Sequence, residues 1–396
     1  MAAAVLVLAL AVGVAVVALV SPAAHTISRP ATAAPPPVPA APATVPATLA
    51  EAWRAPSSAT HSPVVVGGTV VTGDDSEVIG RDPSNGAQRW LYRRDLPLCT
   101  VGSGWGMALA VFRNGPWCSD VAALRADTGA RGPQRNSDAP TDTRLLDDGF
   151  LVTSTGADHL ETWRSDLVRT LEYGRLRAPV QPKSQPRPAC VHGSVAVTGG
   201  RLGVVERCPG EAGDRLTVLS PDGAESDHPE EEFSAVLPAT GARLVALSAD
   251  REAVLLPGPP RLSVRGADGA ELASYPLPLP EGDLTGDPPG EAVPTTRIPG
   301  AVLWWTGSRT IALDENDLRP RWTMPGALGP GALFADEPVL PVPDGLVVVN
   351  PANGAVLKRV PVHRDDRTGV AAAPLGLASV GPVLLEQRGS TLVALH

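Results

Sequence analysis

The sequence that decides the fold is VVTGDDSEVIGRDPSNGAQRW, residues 70–90. Its apolar residues are largely β-branched and lie in short segments, which is the composition of β-strands. Between two of these segments, DPSNG has the residues of a tight turn, because Asp and Asn close turns through their side chains and glycine accepts positive φ. With the valines that precede this stretch, we predict four successive strands, over residues 64–67, 69–72, 77–81 and 88–93.

Weaker copies of this unit recur at intervals of about 35–55 residues until the chain ends. A period of this length is typical of a β-propeller, whose four-stranded units bury their faces only against neighbouring units. We predict an all-β fold in which residues 49–396 form one propeller domain with eight blades, and seven blades are the alternative. The turns that mark the copies are DTG at 127–129, RSD at 164–166, PDG at 221–223, ADG at 267–269, DEND at 314–317 and PANG at 351–354.

Two segments resemble a known repeat: GRDPSNGAQRW at residues 80–90 and ALRADTGA at residues 123–130. Both resemble the quinoprotein-type, or PQQ-like, propeller repeat, whose signature Ala-x-Asp-x-x-Thr-Gly-x-x-x-Trp spans the third strand, its turn and the outer strand. The pattern as a whole is also similar to a family of membrane-anchored, PQQ-like propeller proteins of unassigned function from actinobacteria. The resemblance covers roughly residues 50–396 and implies a PQQ-like propeller.

The two ends of the chain supply complementary parts of one blade. Residues 381–396 contain a second and a third strand and then stop, without a turn or an outer strand. The missing outer strand precedes the first blade, where Trp53 has the place that Trp90 has in the repeat unit. Pairing this strand with the segment around Leu392 and Val393 closes the ring and removes an exposed sheet edge. The sequence therefore predicts a last blade completed by the N-terminal strand.

Residues 2–20 form an uninterrupted apolar run that is long enough to cross a bilayer as a helix. We expect one apolar N-terminal helix that anchors the chain in the cell membrane as a single-pass protein, with the propeller outside the cytoplasm. A cleaved signal segment, and hence a secreted protein, is the alternative, with Ser21 to Ala23 as the cleavage site. Residues 21–48 are rich in Ala and Pro and have the composition of a semi-extended linker.

Four cysteines lie at Cys99, Cys118, Cys190 and Cys208, with gaps of 19 and 18 residues within the two pairs. In each pair we expect the first cysteine to begin an inner strand and the second to end the next strand, so that an antiparallel hairpin brings them together. The sequence predicts the disulfides Cys99–Cys118 and Cys190–Cys208, which need an oxidising location. Metal binding is the alternative, although no CxxC pair accompanies them.

The net charge and the sequence motifs limit the classes of function that we expect for this protein. The net charge is −9, and the 33 Lys and Arg residues are dispersed along the chain, so we expect no nucleic-acid partner. GxSxG and HExxH motifs are absent from the sequence, which favours a protein that is not an enzyme. The glycine-rich stretch GSGWG at residues 102–106 has no helix after it, so we expect a turn and not a phosphate-binding loop.

An oxidoreductase is the first alternative function. Quinoprotein dehydrogenases hold PQQ over a Ca²⁺ ion in the channel of this type of propeller, and the resemblance implies this possibility. Their vicinal Cys-Cys pair is absent here. Trp304 and Trp305 are the candidates for the aromatic floor of such a site, but we expect one ring to pack between blades and the other to face a neighbouring strand or solvent. We therefore predict no cofactor, with PQQ and Ca²⁺ as the alternative.

The function that the sequence favours is a non-catalytic scaffold that binds an envelope protein or a glycan. Propellers of this type serve as scaffolds in envelope assembly, although a fold does not fix a function. A glycan-binding sensor is the second alternative, because exposed aromatic rings around a channel can stack on sugars. The residues that line the channel distinguish the enzyme from the binding protein. Carboxylates above a flat aromatic ring indicate the enzyme, and a channel without them indicates partner binding.

Overall fold

The computed structural model describes residues 25–178, 181, 183–285, 290–364 and 373–396. Within these residues the chain is built of β-strands, and helical structure is limited to one 3-10 turn at Glu281–Leu284. The apolar run at residues 2–20, for which we expect a helix, lies outside the described residues. Across the described ranges, no helix is long and apolar enough to span a membrane.

The strands of the described chain form eight antiparallel sheets, which are the blades of a propeller. The prediction of eight blades is therefore confirmed, and the alternative of seven is wrong. Before the first blade come β1 (Ile27–Arg29) and β2 (Glu51–Pro56). The strands of the first four blades, from the innermost to the outermost, are β3 (Val64–Val66), β4 (Thr69–Asp74), β5 (Glu77–Arg81) and β6 (Gln88–Arg93); β7 (Leu98–Gly104), β8 (Met107–Asn114), β9 (Trp117–Arg125) and β10 (Arg131–Asn136); β11 (Leu145–Asp147), β12 (Val152–Ser154), β13 (His159–Trp163) and β14 (Arg169–Gly174); β15 (Val191–Thr198), β16 (Arg201–Arg207), β17 (Arg215–Ser220) and β18 (Glu230–Val236).

The remaining blades continue the same order, and the first and last blades are joined to the N-terminal strands. β1 pairs with β6 and makes blade 1 five-stranded, while β2 is the outermost strand of blade 8. Contacts between β3 and β31 close the ring. The strands of blades 5 to 8 are β19 (Arg243–Leu247), β20 (Arg251–Leu256), β21 (Arg261–Gly266) and β22 (Glu271–Pro276); β23 (Thr295–Ile298), β24 (Ala301–Trp305), β25 (Arg309–Asp314) and β26 (Pro320–Pro325); β27 (Ala332–Phe334), β28 (Glu337–Val342), β29 (Gly345–Val349) and β30 (Val356–Pro361); β31 (Gly376–Val380), β32 (Val383–Arg388) and β33 (Thr391–Leu395).

The core lies between blades, because successive residues of a strand point to opposite faces of its sheet. In β4, Val70 packs in a cluster with Trp53 of blade 8, while the adjacent Val71 packs in a cluster with Val101 of blade 2. Both valines are fully buried. Each blade thus contributes one apolar face to each of two neighbours, which is why the strands contain apolar runs and do not alternate strictly with polar residues.

The tryptophan that ends the repeat unit lies on the turn glycine of the next blade. The ring of Trp90 in blade 1 covers Gly129 in blade 2, where φ is +69° and a Cβ atom would lie 2.6 Å from the ring. The Trp90 Nε1–H group also donates a 2.9 Å hydrogen bond to the carbonyl of Ala126. Both the left-handed backbone and the space at this turn therefore require glycine.

The same contact recurs at two further junctions between blades. Trp53 of blade 8 covers Gly86 of blade 1, and Trp322 of blade 6 covers Gly354 of blade 7. In each case the indole N–H donates to the carbonyl three residues before the glycine, at 2.8 Å and 3.0 Å. The turn and the tryptophan of the repeat are thus two halves of one contact between successive blades.

Ring closure is made by β2 and β33, which pair antiparallel. In the register, Arg54 lies opposite Val393, Ala55 lies opposite Leu392, and Trp53 lies opposite Ala394. Leu392 and Val393 are buried. The N-terminal strand therefore occupies the place of the outer strand that is missing after the third strand of blade 8.

The Ala- and Pro-rich segment before β2 packs against the propeller. We call residues 27–50 the strap. Its first residues pair with β6, and the Ala31 N–H group donates a 2.9 Å hydrogen bond to the Thr128 carbonyl in blade 2. Farther along, Val45 is fully buried in the apolar cluster between blades 7 and 8, together with Leu49. The part of the predicted linker that the structure describes is thus in contact with four blades.

Both predicted disulfides are present. Cys190 directly precedes β15 and Cys208 directly follows β16, so that bond joins the ends of a hairpin as expected. The expected position of the second cysteine is wrong for the other pair, because Cys118 lies in β9 and its bond to Cys99 passes the end of β8. The pairing of β8 with β7 and its pairing with β9 each contain a register shift. These shifts bring the Cα atoms of Cys99 and Cys118 to within 6.1 Å of each other, although β8 lies between their strands.

Replacing Trp53 by alanine should lower the free energy of unfolding by about 3–5 kcal/mol. The substitution removes a large buried ring from the contact between blades 8 and 1, where the propeller ring is closed. Chemical denaturation of the oxidised protein measures the change. Leu272→Ala is the control, since Leu272 is 54% exposed and should change stability by less than about 0.5 kcal/mol. Equal midpoints for Trp53→Ala and the wild type would contradict the closure contact.

Candidate functional site

The two ends of the disc differ in their loops. The turns between the first and second strands and between the third and outer strands lie at one end, which we call the short-turn face. The connections between blades lie at the other end, which we call the long-loop face, and the longest described ones precede β15 and β23. Loops on a rigid scaffold carry most binding sites, so both ends and the channel between them are candidates.

The channel is lined by the innermost strand of each blade. In the described innermost strands the charged side chains are Asp147, Arg243 and Arg297, and the aromatic rings are those of His192 and Phe334. Phe334 is buried between blades, and Asp147 is the one carboxylate among them. A Ca²⁺ ion takes six to eight oxygen ligands, so these strands do not fit PQQ held over Ca²⁺.

The two candidate floor residues, Trp304 and Trp305, lie in β24 and do not line the channel. Trp304 is buried in the apolar cluster between blades 5 and 6. Trp305 is half-buried and donates a 2.8 Å hydrogen bond from Nε1 to the carbonyl of Ala327. Both tryptophans therefore have contacts between or beside blades, as the sequence analysis expects.

On the long-loop face, the connection from blade 5 to blade 6 reaches across to blades 3 and 4. The Gly290 N–H group contacts the carbonyls of His192 and Gly193 at 2.9 Å and 2.8 Å. Glu291 accepts a 2.8 Å ion-pair hydrogen bond from Arg144, which stands just before the innermost strand of blade 3. The channel mouth on this side is therefore bridged by the chain itself, at least over blades 3 and 4.

A buried polar cluster lies between blades 2 and 3. His159 Nε2 is 3.4 Å from a Glu161 carboxylate oxygen and 3.9 Å from one of Glu172. Trp163 Nε1–H donates to Glu161 at 2.8 Å. His159, Glu161 and Trp163 alternate along β13 and so share one face, and Glu172 is the cross-strand partner of Glu161 in β14. In the sequence, His159 is a single histidine without the spacing of a metal or catalytic motif, so this cluster was not predicted.

This cluster has ligand types that a metal ion accepts, but its charges are already balanced. Arg135 lies 3.5 Å from Glu161, and Arg169 lies 2.7 Å from Glu172. Two guanidinium groups beside two carboxylates repel a further cation, and the histidine and both glutamates are buried. The arrangement is therefore a charge network that joins two blades.

The charge network changes the pKa of Glu161. Burial raises the pKa of a carboxyl group, but here the hydrogen bond with His159 and the positive charge of Arg135 outweigh burial and lower the pKa of Glu161 to about 2. At neutral pH the carboxylate is therefore ionised inside the protein, with its charge compensated by neighbours.

An aromatic pair lies on the short-turn face, formed by the half-buried Trp105 and the exposed Phe150, and we call these two residues the aromatic rim. Trp105, in the turn between β7 and β8, has a φ of +53°, which is rare for a bulky residue. Its Nε1–H group donates a 2.7 Å hydrogen bond to the carbonyl of Phe150, in the turn between β11 and β12. The Phe150 side chain is 73% exposed, the largest exposed fraction among the exposed large apolar residues of the described chain.

The turn that carries Phe150 is held by carboxylates. Asp148 accepts backbone N–H groups from Phe150 at 2.9 Å and from Gly200 of blade 4 at 2.8 Å, while Asp147 accepts one from Gly149 at 2.8 Å. The phenyl ring is therefore exposed on an ordered turn. Sequence reasoning predicted the turn at Trp105 but missed Phe150; the signal was an aromatic residue directly after the turn glycine, where blades 1 and 4 have Gly-Gly.

Comparison with known proteins supports the architecture. No family model matches the chain, and no curated protein matches it. Among solved structures, BamB from Moraxella catarrhalis matches 88% of this chain and 100% of its own, with 12% identity and a TM-score of 0.50. The quinohemoprotein alcohol dehydrogenase ADHIIG from Pseudomonas putida HK5 matches 88% of this chain and 76% of its own, with 12% identity and a TM-score of 0.53.

A third match is the dihydro-heme d1 dehydrogenase NirN, with 13% identity, a TM-score of 0.54, and coverage of 86% of this chain and 78% of that one. At such identities the similarity shows the fold alone. The chain therefore has an eight-bladed propeller fold that is similar to that of a quinohemoprotein dehydrogenase, as the resemblance of its repeats implies.

The depressed pKa of Glu161 predicts a loss of stability in acid. The contribution of this carboxylate is fully present above the ordinary pKa of 4.5 and is lost as the pH falls toward 2. A shift of this size corresponds to about 3 kcal/mol. Unfolding free energies measured from pH 7 to pH 2 should fall less steeply below pH 4.5 for Glu161→Gln than for the wild type. Glu77→Gln, at an exposed ion pair, is the control; parallel curves for Glu161→Gln and the wild type would refute the assignment.

Proposed function

We propose that the protein is a non-catalytic binding propeller that holds an envelope partner on its short-turn face, outside the cytoplasm. The aromatic rim carries this proposal, because it joins an exposed phenyl ring to a tryptophan held in an unfavourable backbone conformation. Strained residues cluster at functional sites. An apolar ring in water is also a source of binding free energy, since contact with a partner removes it from water.

The composition of the channel supports the same proposal. The described innermost strands offer neither a group of carboxylates nor a flat exposed ring, and the buried carboxylates of blade 3 are compensated by arginines. Described innermost strands with this composition suit a protein that binds its partner at the surface.

The location outside the cytoplasm is part of the proposal. Two disulfides support it, because disulfides persist mainly in oxidising compartments. The apolar run at residues 2–20 would attach the propeller to the cell membrane as a single-pass anchor, or direct its secretion.

Cross-linking from the rim tests the proposal. With a photoreactive phenylalanine analogue in place of Phe150, irradiation of intact cells should give a discrete cross-linked protein, because this ring would lie at the partner interface. The same analogue at Leu357, which is 59% exposed on the outer strand of blade 7, is the matched control and should give no such product. Identical products from both positions, or none from Phe150, would count against a partner on the short-turn face.

A quinoprotein oxidoreductase is the second candidate, favoured by the structural similarity to a quinohemoprotein alcohol dehydrogenase. When bound, PQQ would supply the redox chemistry for oxidising an alcohol or sugar. This chain's innermost strands do not supply the residues that such a site needs, so we rank this candidate below the scaffold.

Titration with PQQ and Ca²⁺ separates the two candidates. We expect no bound chromophore and no change in the thermal unfolding midpoint, because Asp147 is the one carboxylate of the described innermost strands. A saturable absorbance change with a rise in the midpoint, followed by dye-linked oxidation of an alcohol, would establish the oxidoreductase instead.

A further inference from the structure

The strap shows how the short-turn face binds an extended peptide. Val38 lies against the first turns of blades 1 and 8, where Cβ atoms on Gly68 and Gly381 would lie 2.4 Å and 2.8 Å from its methyl groups. Glycine at these turns therefore makes room for an apolar side chain. The strap around Val38 has the sequence APPPVPAAPAT, residues 34–44, which is typical of an extended polyproline II conformation.

Farther along the strap, both backbone groups of one residue are bound by side chains. The Val45 N–H group donates to a Glu337 carboxylate oxygen at 2.9 Å, and the Lys358 ammonium group donates to the Val45 carbonyl. The Val45 side chain is fully buried. Capture of backbone groups beside an apolar pocket is the mode by which proteins bind extended segments of other chains.

The strap leaves part of this face uncovered, and the aromatic rim lies there. Blade 2 contacts the strap through Thr128 and carries Trp105, so the rim is continuous with the surface that the strap uses. At the first turns of blades 3 and 4, Cβ atoms on Gly149, Gly199 and Gly200 would meet no atom within 4 Å. The same kind of glycine turn is therefore filled by the strap at blades 1 and 8 and open at blades 3 and 4.

Charge at the rim indicates what flanks the bound segment. Asp147 is exposed and Asp148 half-exposed, three and two residues before Phe150. Within the described part of the chain, these two carboxylates accept backbone N–H groups and form no ion pair with a basic side chain. Two uncompensated carboxylates beside an apolar ring favour a ligand with a basic residue next to its apolar part.

We propose that the aromatic rim binds an extended, proline-rich segment of a partner protein that carries a basic residue beside its prolines. Phe150 would pack on the proline rings, as aromatic grooves do in other proteins that bind polyproline II segments, and Asp147 would face the basic residue. This inference rests on the proposed function and names the chemistry of its partner.

A synthetic peptide with the sequence of residues 29–45, RPATAAPPPVPAAPATV, is the probe, because it has both features and the strap sets the precedent. Fluorescence anisotropy of the labelled peptide with the full chain should show saturable binding. We expect Phe150→Ser to weaken binding at least tenfold and Asp147→Asn to weaken it a few-fold at low salt. Leu357→Ser is the matched surface control and should bind as the wild type does.

A second peptide with alanine in place of its arginine separates the contribution of packing on Phe150 from the contribution of the charge interaction with Asp147. It should bind the wild type more weakly and be insensitive to Asp147→Asn. Thermal unfolding of each variant checks that the fold is kept. We expect Phe150→Ser to keep the fold, because Phe150 is 73% exposed.

Absence of peptide binding at millimolar concentration, or equal binding by Phe150→Ser and the wild type, would overturn the inference. Binding of a chito-oligosaccharide that Phe150→Ser abolishes, without peptide binding, would overturn it in favour of a glycan. If cross-linking from Phe150 captures a protein while the peptide does not bind, the proposed function stands and this inference alone fails.

Discussion

The fold depends on the contact between an aromatic ring of one blade and the turn glycine of the next. At Trp53, Trp90 and Trp322 this contact combines a ring face on a left-handed glycine with an indole hydrogen bond to the same turn. Phe233 makes the packing half of the contact on Gly269, without a donor. Because each blade has two apolar faces and cannot be stable alone, these contacts, repeated around the ring, link the blades into one domain.

Buried charge also joins neighbouring blades. Arg201 of blade 4 bonds the buried Glu252 of blade 5, and Arg364 makes a bidentate contact with the buried Glu386 of blade 8. A buried ion pair adds little net stability but strongly disfavours any arrangement that leaves one partner alone. Such pairs therefore help to specify which faces of neighbouring blades pack together.

The two ends of the disc have different roles in this arrangement. The chain itself bridges the inner strands of blades 3 and 4 on the long-loop face, through Gly290 and Glu291. On the opposite face the strap contacts blades 7, 8, 1 and 2 and leaves Phe150 of the aromatic rim exposed. An N-terminal segment that binds its own propeller in an extended form provides a physical precedent for recognition of a similar segment from another protein.

The sequence by itself determined the propeller fold, the closing strand and both disulfide pairs and favoured eight blades over seven, because local turn chemistry and a regular period carry that information along the chain. It did not reveal that the bond to Cys118 passes a third strand, since bulges in β7 and β9 are set by pairing. Only the tertiary structure brought Trp105 to Phe150 and Arg135 to Glu161, because residues far apart in sequence come into contact there through the packing of successive blades. The candidate site depends on these contacts between blades, which the local sequence pattern around each residue does not specify.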